Sequence, residues 1–177
     1  VIVSLPHAGN WDHAGAYFCA TGIPLTTVAE HLEPEKLFRK FLAHRENMGM
    51  EVLDLNSRSI ATLSQRARSG KLIALVADRD LSSNGVEVEL CGHTAKFPAG
   101  PALLAIQTGA ALITAFIRYE EGGIRIIFGS EIPVPSVGDT QSKIKLMNQE
   151  IANRFGMELR KDPVDWHMLQ RIWPDLS

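Results

Sequence analysis

The stretch Val1-Ile-Val-Ser-Leu5-Pro6-His7-Ala-Gly9-Asn10-Trp-Asp12 decides the fold. Four of its first five residues are apolar, which predicts a buried strand that Pro6 ends. His7 follows where the backbone turns, Gly9 and Asn10 continue the turn, and a helix is expected from about Asn10 to Ala20. Asn10 suits the helix N-cap and Asp12 falls in the first turn. A histidine at the carboxyl end of a strand, with a carboxylate one turn into the next helix, stands where open α/β folds place their chemistry. The Asp12 carboxylate can orient the His7 imidazole and stabilise its protonated form, leaving the other ring nitrogen to take a proton from a hydroxyl. The plainer alternative is that exposed N–H groups and the helix dipole favour aspartate in any first helical turn.

Beyond this stretch, strand-like and helix-like segments alternate. Leu25–Ala29 reads as a strand, a helix opens at Pro34 and runs to about Met48, and Glu51–Leu55 is a strand. A helix over Arg58–Arg68 ends at Gly70, and Leu72–Ala77 is an apolar strand. Val86–Leu90 alternates, Pro101–Thr108 is helical with Gly109 as its cap, and Ala111–Tyr119 is a strand. Gly122-Gly123 turns into Ile124–Phe128 as an antiparallel hairpin, and a helix from about Thr140 to Arg160 leads into a tail rich in Trp and Pro. Short βα units with continuous apolar strands predict an α/β fold with a mostly parallel central sheet and helices on both faces.

Residues 1–177 are expected to form a single domain, large enough to bury a core without staples. Hydrophobic content of 45% and charged content of 21% are ordinary for a folded protein. A formal charge of −2 argues against nucleic acid as a partner. Cys19 and Cys91 lie in different elements and give neither a metal spacing nor a disulfide framework, which favours a reducing compartment. The longest apolar run, Pro101 to Ile117, is broken by Gln107, Thr108 and Gly109 before reaching transmembrane length. The chain opens in mid-strand without an initiating methionine, so a longer parent protein is expected.

Several polar residues join His7 at the same expected sheet edge. Glu30 and His31 follow the second strand, and Asp78-Arg79-Asp80 follows Leu72–Ala77 directly. Arg45 lies on the margin of the apolar stripe Leu37, Phe38, Phe41, Leu42 and Met48, placed either to snorkel into solvent or to bind an anion at a cleft rim. Asp80, Ser82, Asn84 and Gly85 imitate the start of a calcium loop, but its twelfth position is Cys91 where a bidentate glutamate is required. His13 follows Asp12 directly, so their side chains diverge on a helix and no metal site is expected. Phe97-Pro-Ala-Gly-Pro101 opens a helix whose free N–H groups can meet an anion, as at many helix starts that hold none.

Taken together and in order, these features resemble the bacterial lipid A lauroyl/myristoyl acyltransferase family, within the wider glycerolipid acyltransferases. The marks are His7-x4-Asp12, Arg45-Glu-Asn-x-Gly49, Asp78-Arg-Asp80, Gly100-Pro-Ala-Leu-Leu104 with Thr108-Gly-Ala110, Trp166-His-Met-Leu-Gln170 and Trp173-Pro174. Many members have Asp-Gln-Asp where this chain has Asp78-Arg79-Asp80. That variant and Asp165-Trp-His-Met-Leu-Gln170 look most like the actinobacterial phosphatidylinositol mannoside acyltransferases. The resemblance implies that a palmitoyl group passes from acyl-CoA to the 6-hydroxyl of a mannose on a phosphatidylinositol mannoside. It implies His7 as general base, Asp12 as its orienting partner, and one carboxylate of the Asp78-Arg79-Asp80 run, taken as Asp80, in support. Glu30, Arg45, Asp78 and Arg79 would line the acceptor cleft. Phe97-Pro-Ala-Gly lacks the glutamate of the Phe-Pro-Glu-Gly motif in glycerol-phosphate acyltransferases, which speaks against that acceptor. The family's amino-terminal helices, associated with the membrane, do not occur in these residues. A peripheral enzyme at the cytoplasmic face of the membrane is implied, with no metal or organic cofactor. An acyl-carrier-protein-dependent lipid A-type transferase, a thioesterase or esterase, and a non-catalytic lipid-binding module are the alternatives. No Gly-x-Ser-x-Gly elbow supports a serine hydrolase.

Overall fold

The computed structural model describes every residue except Leu32, Ser57, Leu81, Asp175 and Ser177. The elements run β1 (Ile2–Leu5), α1 (Trp11–Ala20), β2 (Leu25–Ala29), α2 (Glu35–Asn47), β3 (Glu51–Asp54), α3 (Ser59–Arg68), β4 (Leu72–Val76), β5 (Val86–Leu90), β6 (His93–Phe97), α4 (Gly100–Thr108), β7 (Leu112–Glu120), β8 (Gly123–Phe128) and α5 (Thr140–Lys161). Six strands form one sheet in the order β3-β2-β4-β1-β7-β8. The first five are parallel and β8 returns antiparallel along β7. The expected α/β architecture is therefore observed, down to the hairpin closing one edge.

Side-chain alternation along the strands divides the interior in two. Ile2, Ile73, Leu75, Leu112 and Phe116 point to the face covered by α3, α4 and α5, where Leu63, Leu104, Met147, Ile151 and Phe155 complete the larger core. The large apolar residues that α5 buries fall at Ile144, Met147, Ile151, Phe155 and Leu159, the three-and-four spacing of one helical stripe. Val3, Leu5, Ala115 and Ile117 point to the opposite face, where Ala14 of α1 packs against them.

One element had no counterpart in the sequence reading. His93–Phe97 pairs antiparallel with Val86–Leu90 as a separate two-stranded ribbon, with Ala95 and Phe97 buried. The turn between them uses Cys91 at φ 58° and Gly92 at φ 94°. Two positive-φ residues suit a two-residue hairpin, but cysteine in the first place lacks the usual Asn-Gly or Asp-Gly signature. The Gln149 side chain on α5 docks the ribbon, accepting from the Glu89 N–H at 2.8 Å and donating to the Glu89 carbonyl at 2.9 Å.

Topology fixes where a site can form. β1 and β4 are neighbours, yet β1 leads through α1 on one face and β4 leads on towards α4 on the other. Connections that leave adjacent parallel strands on opposite faces open a crevice at their carboxyl ends.

Candidate active site

His7 and Asp78 occupy that crevice. β1 and β4 run in register up to Leu5 opposite Val76, and each residue lies two positions further along its strand. The His7 imidazole donates from Nδ1 to Asp78 Oδ1 at 2.5 Å. Asp78 Oδ2 accepts both the His7 backbone N–H at 2.9 Å and the Trp166 indole N–H at 2.8 Å. The Asp78 side chain is 1% exposed, whereas the imidazole is 24% exposed. Asp78 therefore stands behind His7 as a fixed acceptor, which selects the Nδ1–H tautomer and leaves a lone pair on Nε2.

This corrects three expectations. Asp12 does not orient His7: its Oδ1 accepts from Arg45 Nε at 2.8 Å and its Oδ2 from Nη2 at 3.4 Å. Asp12 lies on α1 and is drawn towards α2, while the carboxylate on His7 comes from the adjacent strand. Asp78 is too deeply buried to line an acceptor cleft. Asp80 turns away into its own loop, where its carboxylate accepts the Ser82 backbone N–H at 2.8 Å and its N–H donates to the Lys96 carbonyl at 2.7 Å. Glu30 and Arg79 do meet, Oε2 to Nη2 at 3.8 Å, at the carboxyl ends of β2 and β4. Among the described residues, Arg79 Nη1 is enclosed there without a hydrogen-bond partner. His31 turns instead to Glu35 and the Phe38 ring on α2. Among the described residues, no cluster of His, Cys, Asp and Glu has the arrangement of a metal centre.

The turn carrying His7 is tightly built. Gly9 has φ 59°, and a Cβ there would lie 2.6 Å from the Ile117 carbonyl oxygen, so only glycine fits. The Asn10 side chain caps α1 by accepting the His13 N–H at 2.9 Å. Trp11 then meets the imidazole edge-on, ring centroids 5.4 Å apart. The C-terminal tail closes over this turn: the Gly9 N–H donates to the Asp165 carbonyl at 2.8 Å and the His167 N–H to the His7 carbonyl at 2.7 Å. The Tyr119 N–H donates to the Asp165 carboxylate at 2.9 Å, anchoring the tail to the end of β7. Trp166 is thus a site residue that sequence reading recognised only as part of a motif.

Beside the site, between the sheet and α1, lies an apolar cavity of ≈ 260 Å³. Val3, Leu5, Ala74, Val76, Ala115 and Ile117 floor it, and Ala14, Gly15 and Phe18 of α1 roof it. Trp11, Asp12 and Arg45 line the same cavity, so its polar end is the Asp12–Arg45 pair beside the His7 turn. That pair uses Nε and Nη2 of Arg45, leaving Nη1 for another acceptor. At the amino end of β3, Arg66 grips the Glu51 carboxylate from Nε and Nη2, with Thr26 donating a further hydrogen bond at 2.8 Å. The Arg66 guanidinium, helped by Thr26 against partial desolvation, holds the Glu51 carboxyl down at about 2. That ion pair lies at the opposite sheet edge from His7 and fastens α3 to the sheet.

A buried carboxylate thus holds an imidazole next to an apolar cavity at a switch point. The family model for bacterial lipid A biosynthesis acyltransferases matches residues 1–174. The chain belongs to that family. It is 39% identical over 180 residues to the phosphatidylinositol mannoside acyltransferase of Mycobacterium tuberculosis, covering 99% of this chain and 55% of that protein. It is 40% identical to the phosphatidylinositol mannoside acyltransferase of Mycolicibacterium smegmatis over 99% of this chain and 58% of that protein. The chain thus spans about half the length of the curated relatives it matches. Among the described residues, no helix is long and apolar enough to cross a membrane.

Proposed function

We propose that this acyltransferase-family chain carries a His7-based site that moves a long-chain acyl group, palmitoyl, from a CoA thioester to the 6-hydroxyl of a mannose in a phosphatidylinositol mannoside. The observation that carries the reading is the His7–Asp78 pair set beside an apolar cavity; the names of the relatives supply the acceptor. His7 Nε2 takes the proton of the acceptor hydroxyl as its oxygen attacks the thioester carbonyl. The ester C–O bond forms, the C–S bond breaks, and the proton passes from Nε2 to the departing sulfur. A thioester is already activated, so the site need only deprotonate the alcohol, hold both substrates and steady the oxyanion. No metal or organic cofactor enters the scheme.

The cavity suits the acyl chain, because each buried methylene contributes about 0.8 kcal/mol. Its polar end at Asp12 and Arg45 sets the carbonyl end of that chain near the His7 turn. Glu30 and Arg79, at the carboxyl ends of β2 and β4, are suited to the polar acceptor. With a lipid acceptor, the reaction belongs at the surface of the membrane, on its cytoplasmic face where acyl-CoA is found.

The test is to incubate the full-length protein with palmitoyl-CoA and phosphatidylinositol mannoside, following free thiol and lipid products by mass spectrometry. Acceptor-dependent thiol release with a palmitoylated mannose is expected. Thiol release with free fatty acid alone would overturn the reading in favour of a thioesterase. Transfer only from an acyl carrier protein to a glucosamine lipid would replace both substrates.

A further inference from the structure

We propose that Trp166 is a positioning residue for the base: its indole N–H, acting through Asp78, fixes the tautomer and orientation of His7. This rests on the reading of His7 as the general base.

Asp78 has two carboxylate oxygens with distinct duties. Oδ1 faces the imidazole at 2.5 Å, and Oδ2 receives the His7 N–H at 2.9 Å and the indole N–H at 2.8 Å. The two donors on Oδ2 come from separate parts of the chain, and together with the imidazole on Oδ1 they hold the carboxylate in place. One of them is the backbone of the residue being positioned, which moves with it. The indole is the independent anchor, 88 residues away along the chain. Asp78 is almost wholly buried, so no solvent molecule can take over from a lost donor without entering the interior. The indole's own place is set by the tail: Trp166 pairs with Ala8 as an isolated β-bridge, Asp165 and His167 bracket it with backbone bonds to Gly9 and His7, and its ring meets Trp173 edge-on at 5.7 Å. A simple packing role would need the ring but not the N–H. The bond to Asp78 makes the N–H the operative group, because outer hydrogen bonds decide which imidazole nitrogen carries the proton.

The experiment replaces the N–H while keeping the ring. Trp166→Phe and a benzothienylalanine at position 166, in which sulfur stands for the indole N–H, are made in the full-length protein. Nitrogen-15 histidine spectra in mildly alkaline buffer read the His7 tautomer, assigned by the signal lost in His7→Gln. In the parent protein His7 is expected as the Nδ1–H form. Both replacements are expected to add the Nε2–H form and to lower kcat about tenfold with KM within about twofold. Folded variants that keep the parent tautomer, or that change KM alone, overturn the proposal; benzothienylalanine preserves shape if Trp166→Phe fails to fold. If the parent protein transfers no acyl group, the acyltransferase reading fails, while the tautomer still decides the role of Trp166.

Discussion

Asp12 and Arg45 close on each other through two bonds, Nε to Oδ1 at 2.8 Å and Nη2 to Oδ2 at 3.4 Å, joining α1 to α2 at the polar end of the apolar cavity. Both side chains are partly buried, and each is the other's ion-pair partner. Removing either leaves a partly buried charge unpaired. Asp12→Asn and Arg45→Gln are each expected to lower kcat/KM about tenfold, and the double variant to lose little more. Losses that multiply in the double variant would show two separate roles.

The two aspartates of Asp78-Arg79-Asp80 are expected to differ sharply. Asp78→Asn keeps the shape but can offer an amide donor where His7 needs an acceptor, and kcat should fall at least about a hundredfold. Asp80→Asn keeps the acceptor that receives the Ser82 N–H, and kcat should stay within about threefold. Parallel steady-state kinetics on the two variants measure this contrast. Equal losses would remove Asp78 from its special place behind His7.

Ala74 on β4 points into the apolar cavity. Ala74→Phe fills part of that space and denies burial to two or three methylenes of a long chain. At about 0.8 kcal/mol each, kcat/KM for palmitoyl-CoA relative to octanoyl-CoA should fall by about 15- to 60-fold. Competition between the two donors reads the ratio. An unchanged preference would move the acyl chain elsewhere.

Glu51 gives a stability signature in acid. Its folded value of about 2 lies below the ordinary 4.5, chiefly through the Arg66 hydrogen bond. The stabilisation is fully present above about pH 4.5 and fades as pH falls towards 2. Glu51→Gln should therefore be less stable than the parent at neutral pH, with the difference shrinking below pH 4.5. Urea melts across this range test it; a gap independent of pH would mean that the charge of Glu51 contributes nothing.

The sheet was legible because its strands are short apolar runs separated by helix signals, and Val1–Leu5 ending at Pro6-His7 placed the crevice edge correctly. The partner of His7 was legible only as one carboxylate of the Asp78-Arg79-Asp80 run, with Asp80 taken for it and Asp12 for the orienting residue. Asp12 is five residues away in sequence, whereas Asp78 reaches His7 only through the register that sets Leu5 opposite Val76. Sequence shows that β1 and β4 exist but not that they are neighbours. Trp166 is further still, brought in by a tail without regular structure. The β5–β6 ribbon stayed hidden because Cys91-Gly92 makes a positive-φ turn from a residue that rarely adopts one.

The most direct measurement is acceptor-dependent thiol release from palmitoyl-CoA by the full-length protein and its His7→Ala variant, with circular dichroism melts on both. The variant should melt cooperatively and turn over about a hundred to ten thousand times more slowly than the parent. Undiminished transfer by a folded His7→Ala protein would contradict the assignment of His7 as the base.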